Sequence, residues 1–205
     1  MALAMELAGL RTDITEAVEI TPPHWLDDDA IIELEERYEP LVFERFADGT
    51  LLVTPPTGGI GGRRSGELYG QVLIWAKRIG GITFGANAGF KFPDYALLSP
   101  DATYITAERW YAIDRAEREK FAIIVPDACF ELISKSDRVR TTLKKIAAYV
   151  QHGVRLVVLV DPYRGRVYVS RDGGEAADYG DVDAVDCAPV MPGFVLDLRA
   201  LKALD

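Results

Sequence analysis

The chain has 205 residues, 49% hydrophobic and 27% charged, the balance of one ordinary globular domain. Two cysteines without CxxC or Cys/His spacing, and only two histidines, argue against a thiolate zinc site and against chemistry built on several imidazoles. A net charge of −9 argues against an extended nucleic-acid-binding surface but leaves room for a local basic groove. Carboxylates that hold a metal also make a formal count more negative than the loaded protein would be, so the charge says little about a metal site.

Nothing predicts membrane insertion, since the longest apolar run, residues 121–125, is far too short to span a bilayer. The start MALAMELAGLRTD lacks a basic opening, so no signal peptide is expected, and the cysteine usage fits a reducing cytoplasm. Residues 1–24 are unpatterned and are taken as an N-terminal extension before a single domain over 25–205.

In chain order, TPPHWLDDDAIIELEERY predicts a turn and a short helix, with Asp27, Asp28 and Asp29 as capping acids. PLVFERF and TLLVT read as two strands joined across Ala-Asp-Gly in a hairpin. After PPTGG, a helix over 61–79 carries Leu68, Val72, Trp75 and Ile79 at helical spacing. ITFGAN, GFKF and ATYI read as short strands, and ERWYAID with RAEREKF as a loop.

Residues 128–134 then predict a buried strand, followed by a helix over 137–152 capped by Ser136 or Asp137 and ended by Gly153. Val139, Leu143, Ile146 and Val150 give that helix an apolar face. A second buried strand over 155–161 completes a βαβ unit with parallel strands, and RVYVS follows across a turn. The expected fold is α/β, a mixed sheet flanked by helices, with an N-terminal helix and hairpin extension.

Glu131 stands out because it lies inside an apolar strand of that βαβ unit. Alternation puts it on one face with Cys129 and Ile133, while Ala128, Phe130 and Leu132 take the other. Buried without a partner it would cost several kcal/mol, so an arginine, a lysine or a bound cation must meet it. Asp101, after Ser99 and Pro100 at the opening of a strand, reads alone as a solvated turn residue. Glu67 falls at the margin of its helix's apolar sector, either half-solvated or reaching over the sheet toward Asp101 and Glu131. Three carboxylates and a strand carbonyl suit Mg²⁺ or Mn²⁺. Lys135, Lys144 and Lys145 are candidates to stabilise phosphoryl charge, though periodicity alone reads them as solvated.

Taken together, Ser99-Pro100-Asp101, PDACFELISKSD, KKIAAYVQHGVRLVVLVDP and MPGFVLDL, with TPPTGG and GRRSGELYGQVLIWAKR before them, resemble the Uma-two family. These are restriction-endonuclease-like proteins of the PD-(D/E)XK nuclease superfamily, and the likeness covers roughly residues 25–200. It implies a restriction-endonuclease-like fold, with Glu67, Asp101 and Glu131 as metal ligands and Lys145 where the family's helix carries a lysine four residues before a tyrosine. Two positions depart from the pattern. Ile133 stands where the superfamily's E-x-K places lysine, and Lys135 replaces a common proline.

The implied activity is Mg²⁺- or Mn²⁺-dependent hydrolysis of DNA phosphodiesters, with Asp101, Glu131 and Lys145 catalytic. A homodimer would let a single-domain nuclease reach both strands. Two other readings remain open: an inactive nuclease fold that binds nucleic acid or protein, and a structural homodimer whose carboxylates pair with Arg63 or Arg138.

Overall fold

A computed structural model describes residues 13–134 and 139–202. The first strand, β1 (Val18–Ile20), lies within the segment expected as an N-terminal extension and pairs antiparallel with β3 (Leu51–Thr54). Between them come helix α1 (Asp28–Arg37) and strand β2 (Val42–Arg45). The side chain of Asp27 accepts the Ala30 N–H at 2.9 Å, satisfying one orphan donor of the first turn of α1. The predicted hairpin joins β2 to β3 through a tight turn in which Gly49 takes φ +83°, a conformation open to glycine at no steric cost.

Helix α2 (Gly59–Ile79) follows and stops at Gly80, whose left-handed φ of 76° caps it. Its buried stripe is Arg64, Leu68, Val72, Trp75 and Ala76. The expected Ile79 is 52% exposed, at the last position of the helix before its cap. Short strands β4 (Ile82–Gly85), β5 (Phe90–Lys91), β6 (Leu97–Leu98) and β7 (Ala102–Ile105) come next. The segment expected as loop contains two single-turn helices, α3 (Ala107–Tyr111) and α4 (Arg115–Arg118).

Strand β8 (Ala128–Leu132), helix α5 (Val139–Gln151) and strand β9 (Leu156–Asp161) form the expected βαβ unit. Its strands are parallel, with Glu131 in register with Leu159. The proposed caps Ser136 and Asp137, like Lys135 and Arg138, lie outside the described residues. Strands β10 (Arg166–Arg171) and β11 (Ala177–Asp178), the hairpin of β12 (Ala184–Asp186) and β13 (Val195–Asp197), and helix α6 (Arg199–Lys202) complete the chain.

Among the described residues the strands form three sheets. A six-stranded mixed sheet runs β11-β10-β9-β8-β7-β4, a five-stranded sheet runs β1-β3-β2-β6-β5, and β12 pairs with β13. Both faces of the larger sheet are covered, as parallel strands require. Ala128, Phe130 and Leu132 pack with Leu68, Val72 and Trp75 of α2 on one side. Cys129 and Ile133 pack with Ile146 and Tyr149 of α5 on the other. This alternation matches the sequence reading. No helix among the described residues is long and apolar enough to cross a membrane.

The face of α5 differs from expectation. Leu143 is 41% exposed, while Thr141, Thr142, Lys145, Ile146 and Tyr149 are buried. Ile146 is buried and Val139 and Val150 are half-buried against the core as expected, but the helix is turned enough to bring its polar flank inward beside them. The cause is a polar cavity beneath it, which supplies partners for groups that would otherwise need water.

Candidate functional site

The carboxyl end of β8, the amino end of β7, the middle of β2, the inner flank of α5 and the first turns of α2 converge on one cavity of about 400 Å³. Glu44, Arg64, Asp101, Glu131, Lys145 and Tyr163 are among the residues that line it.

Glu131 is 4% exposed. Its Oε1 accepts the Tyr149 hydroxyl at 2.7 Å and meets the Lys145 Nζ at 2.7 Å. Both contacts fall on the same oxygen, so Oε2 takes no hydrogen bond from the described residues. Burial pushes the Glu131 carboxyl up to about 8; Lys145 opposes this, and Asp101 and Glu44 add to it. The antiparallel register pairs Ala102 with Phe130, and one residue further along it sets Asp101 beside Glu131 on the same face. Asp101 is anchored there by the Leu132 N–H, which donates to its Oδ2 at 2.8 Å.

Lys145 is 7% exposed, so the solvated role that periodicity favoured is not what it has. Its ammonium reaches Glu131 Oε1, Glu44 Oε1 at 3.0 Å and the Ser99 carbonyl at 3.2 Å. Those three acceptors match its three protons. Burial disfavours its charge, but Glu131 and Glu44 outweigh that and hold the amine above its ordinary value. Burial and then Glu131 push the Tyr149 phenol well up, so it stays a hydroxyl donor.

The expected residues therefore separate. Asp101, Glu131 and Lys145 come together. Glu67 does not join them: it is exposed, accepts from Gln71 Nε2 at 3.2 Å along its own helix, and is not among the residues lining the cavity. Leu68, the next residue, faces the core at 0% exposure, and a step of about 100° turns Glu67 outward. Ile133 is a core residue at 2% exposure. Lys144 lies outward, 3.5 Å from Glu19 and 3.6 Å from Asp48.

Sequence reasoning missed Glu44 and Arg64. Glu44 is 4% exposed, and its Oε1 accepts the Ser99 N–H at 2.7 Å. A charge set within the apolar strand run LVFERF was the available signal, the same one that singled out Glu131. Arg64, 1% exposed, donates from Nε to the Leu201 carbonyl at 2.8 Å and stacks its guanidinium 5.0 Å from the Tyr163 ring centre. It occupies the inner stripe of α2, where periodicity alone predicts an apolar side chain.

Among the described residues, no set of three or more His, Cys, Asp or Glu side chains is gathered so as to hold an ion. Asp101 and Glu131 nevertheless offer hard oxygens at one cavity. A small divalent cation that keeps several waters is commonly held by one or two carboxylates plus substrate phosphates. The donor set fits such an ion.

A solved structure from Anabaena variabilis ATCC 29413, described as "a putative nuclease belonging to DUF820", is 20% identical and matches with a TM-score of 0.66. The match covers 80% of this chain and 90% of that one. It shows the shared fold. No curated protein matches the chain. The family model described as "Putative restriction endonuclease" matches residues 29–199, nearly the whole length. The chain belongs to the Uma2 family.

Proposed function

We propose that this protein is a divalent-metal-dependent endonuclease that hydrolyses DNA phosphodiester bonds, working as one domain that includes β1 as well as residues 25–205. The observation that carries this reading is the meeting of Asp101, Glu131 and Lys145, from two strands and a helix, at one cavity. Asp101 and Glu131 would hold Mg²⁺ or Mn²⁺, which supplies Lewis acidity toward a phosphoryl oxygen and toward the attacking water.

The remaining work falls to the chain's own groups. The Leu132 N–H and the Tyr149 hydroxyl fix the two carboxylates from behind, so the donor oxygens are set before substrate arrives. Lys145 brings a permanent positive charge to the place where a pentavalent phosphorus would gain negative charge. It does so from α5, in place of the lysine that Ile133 lacks. Arg64 adds a second cation to the cavity wall and supports phosphate binding despite the acidic total.

A second reading is favoured by one specific observation. Lys145 already sits on Glu131, and the described residues gather no third ligand. A nuclease fold that binds nucleic acid without cutting it would look like this.

Plasmid nicking in Mg²⁺ and in Mn²⁺ separates the two. The enzyme reading expects metal-dependent nicking by the wild-type chain and its loss in Asp101→Asn, Glu131→Gln and Lys145→Ala. Salt-sensitive DNA binding with no cleavage under either metal would leave the binding module standing instead.

A further inference from the structure

Lys145 has a second buried carboxylate beside it that charge balance does not require. One acid suffices to neutralise one amine, and each additional buried carboxylate carries a desolvation cost. Glu44 bears that cost on β2, a strand of the smaller sheet, away from the β8 strand that carries Glu131.

Its contacts show what it does there. The Ser99 N–H donates to Glu44 Oε1 at 2.7 Å, the Lys145 ammonium meets the same oxygen at 3.0 Å, and the Ser99 carbonyl accepts from that ammonium at 3.2 Å. The ring closes on a single residue, Ser99, two positions before Asp101. A lysine has long rotamer freedom and one point charge, so a single partner fixes its distance but not its direction. Contacts from β2, from the Ser99 backbone and from β8 fix both.

We propose that Glu44 is a positioning residue of this site, which holds the Lys145 ammonium at the cavity wall beside Glu131 through the ring closed at Ser99. The inference rests on the nuclease reading for its catalytic consequence, though not for its geometry. It also makes the N-terminal hairpin part of the site rather than an appendage to the domain.

The test has two arms on the full chain. In the first, without metal or DNA, the ¹⁵N-lysine ammonium signal of Lys145 is assigned by its loss in Lys145→Met. An ammonium held by three acceptors exchanges slowly with water and gives a sharp signal. Glu44→Gln is expected to broaden or abolish it while the backbone amide spectrum stays folded. A signal whose exchange rate stays within about twofold of wild type overturns the proposal, since losing an ion-pair partner should weaken the ammonium's hold. If Glu44→Gln does not fold, Glu44→Asp draws the carboxylate back by one methylene and is read the same way.

In the second arm, nicking by Glu44→Gln is expected to fall on the order of 10- to 100-fold in kcat, the usual cost of losing an orienting partner. The KM for DNA should stay nearly unchanged. A rate that does not fall, or a loss carried by KM instead of kcat, overturns the proposal. If the wild-type chain cuts no DNA with any metal, the nuclease reading falls, and the ammonium signal alone decides for or against Glu44.

Discussion

Lys145 and Tyr149 stand one helical turn apart on α5 and both approach the same oxygen of Glu131, each at 2.7 Å. Residues four apart share a helix face, so one helix delivers a cation and a hydroxyl to one buried acid. Removing the cation leaves Glu44 and Glu131 together in a low-dielectric site. Lys145→Met should therefore lower stability by about 3–5 kcal/mol, the usual cost of breaking a buried pair from one side. Urea unfolding in the absence of metal measures it, and a loss below about 1 kcal/mol would mean that the amine is not held as described.

The same acid gives a pH dependence with a definite sign. Burial raises Glu131 from 4.5 to about 8, so the fold favours its neutral form. That stabilisation is complete below about pH 4.5 and is lost as pH rises through about 8. Metal-free wild-type protein should become less stable across that window, and Glu131→Gln, which cannot ionise, should remove this part of the decline. Parallel pH profiles for the two proteins would refute the assignment.

Much of this was legible in the sequence, and what was not has particular causes. Glu131 could be read because a charge inside an apolar β-strand has no inexpensive explanation. The βαβ unit could be read because Gly153 and the flanking apolar runs bound its elements. The α5 face could be read only in part from apolar spacing. Val139, Leu143, Ile146 and Val150 make a regular stripe, yet the helix covers a cavity whose partners come from β2 and β8. Burial there follows hydrogen-bond supply as well as hydropathy. Arg64 escaped for the same reason, as a buried cation whose Nε donates to a carbonyl far along the chain, that of Leu201. Helix position left Glu67 open between a solvated margin and the site, resemblance gave it the ligand role, and one step of helical rotation places it outside.

On the acid side a different cluster governs. Asp28 pairs with the Arg45 guanidinium at 2.8 Å and with Lys91 at 2.6 Å, and Arg45 is 1% exposed beneath the Trp25 ring. Burial of Asp28 works against ionisation, but the two cations outweigh it and hold the carboxyl below its ordinary 3.8. A depressed folded-state pKa adds stability that is present above the unfolded value and is lost as pH falls through the folded one. Asp28→Asn should cost about 1–3 kcal/mol at neutral pH, the usual penalty for leaving a buried partner unsatisfied, and should flatten the acid limb below about pH 4. Thermal melts between pH 2 and 7 test this; an unchanged acid limb would count against it.

Glu67 and Asp101 give the sharpest contrast between resemblance and geometry. An ion that binds only the native state raises stability by mass action, about 2.7 kcal/mol at a hundredfold excess over its Kd. Mn²⁺ at millimolar concentration should therefore raise the Tm of the wild-type chain. Asp101→Asn should abolish the rise, because that carboxylate shares the cavity with Glu131 and is held in place by the Leu132 N–H. Glu67→Gln should leave the rise and the nicking rate unaltered, because its side chain is exposed and, among the described residues, bonds along its own helix to Gln71. Loss of the Mn²⁺ effect in Glu67→Gln would mean that α2 rotates or shifts by a substantial part of a turn when the ion binds. The buried stripe of Leu68, Val72 and Trp75 opposes such a movement, since each side chain would have to leave the core it fills.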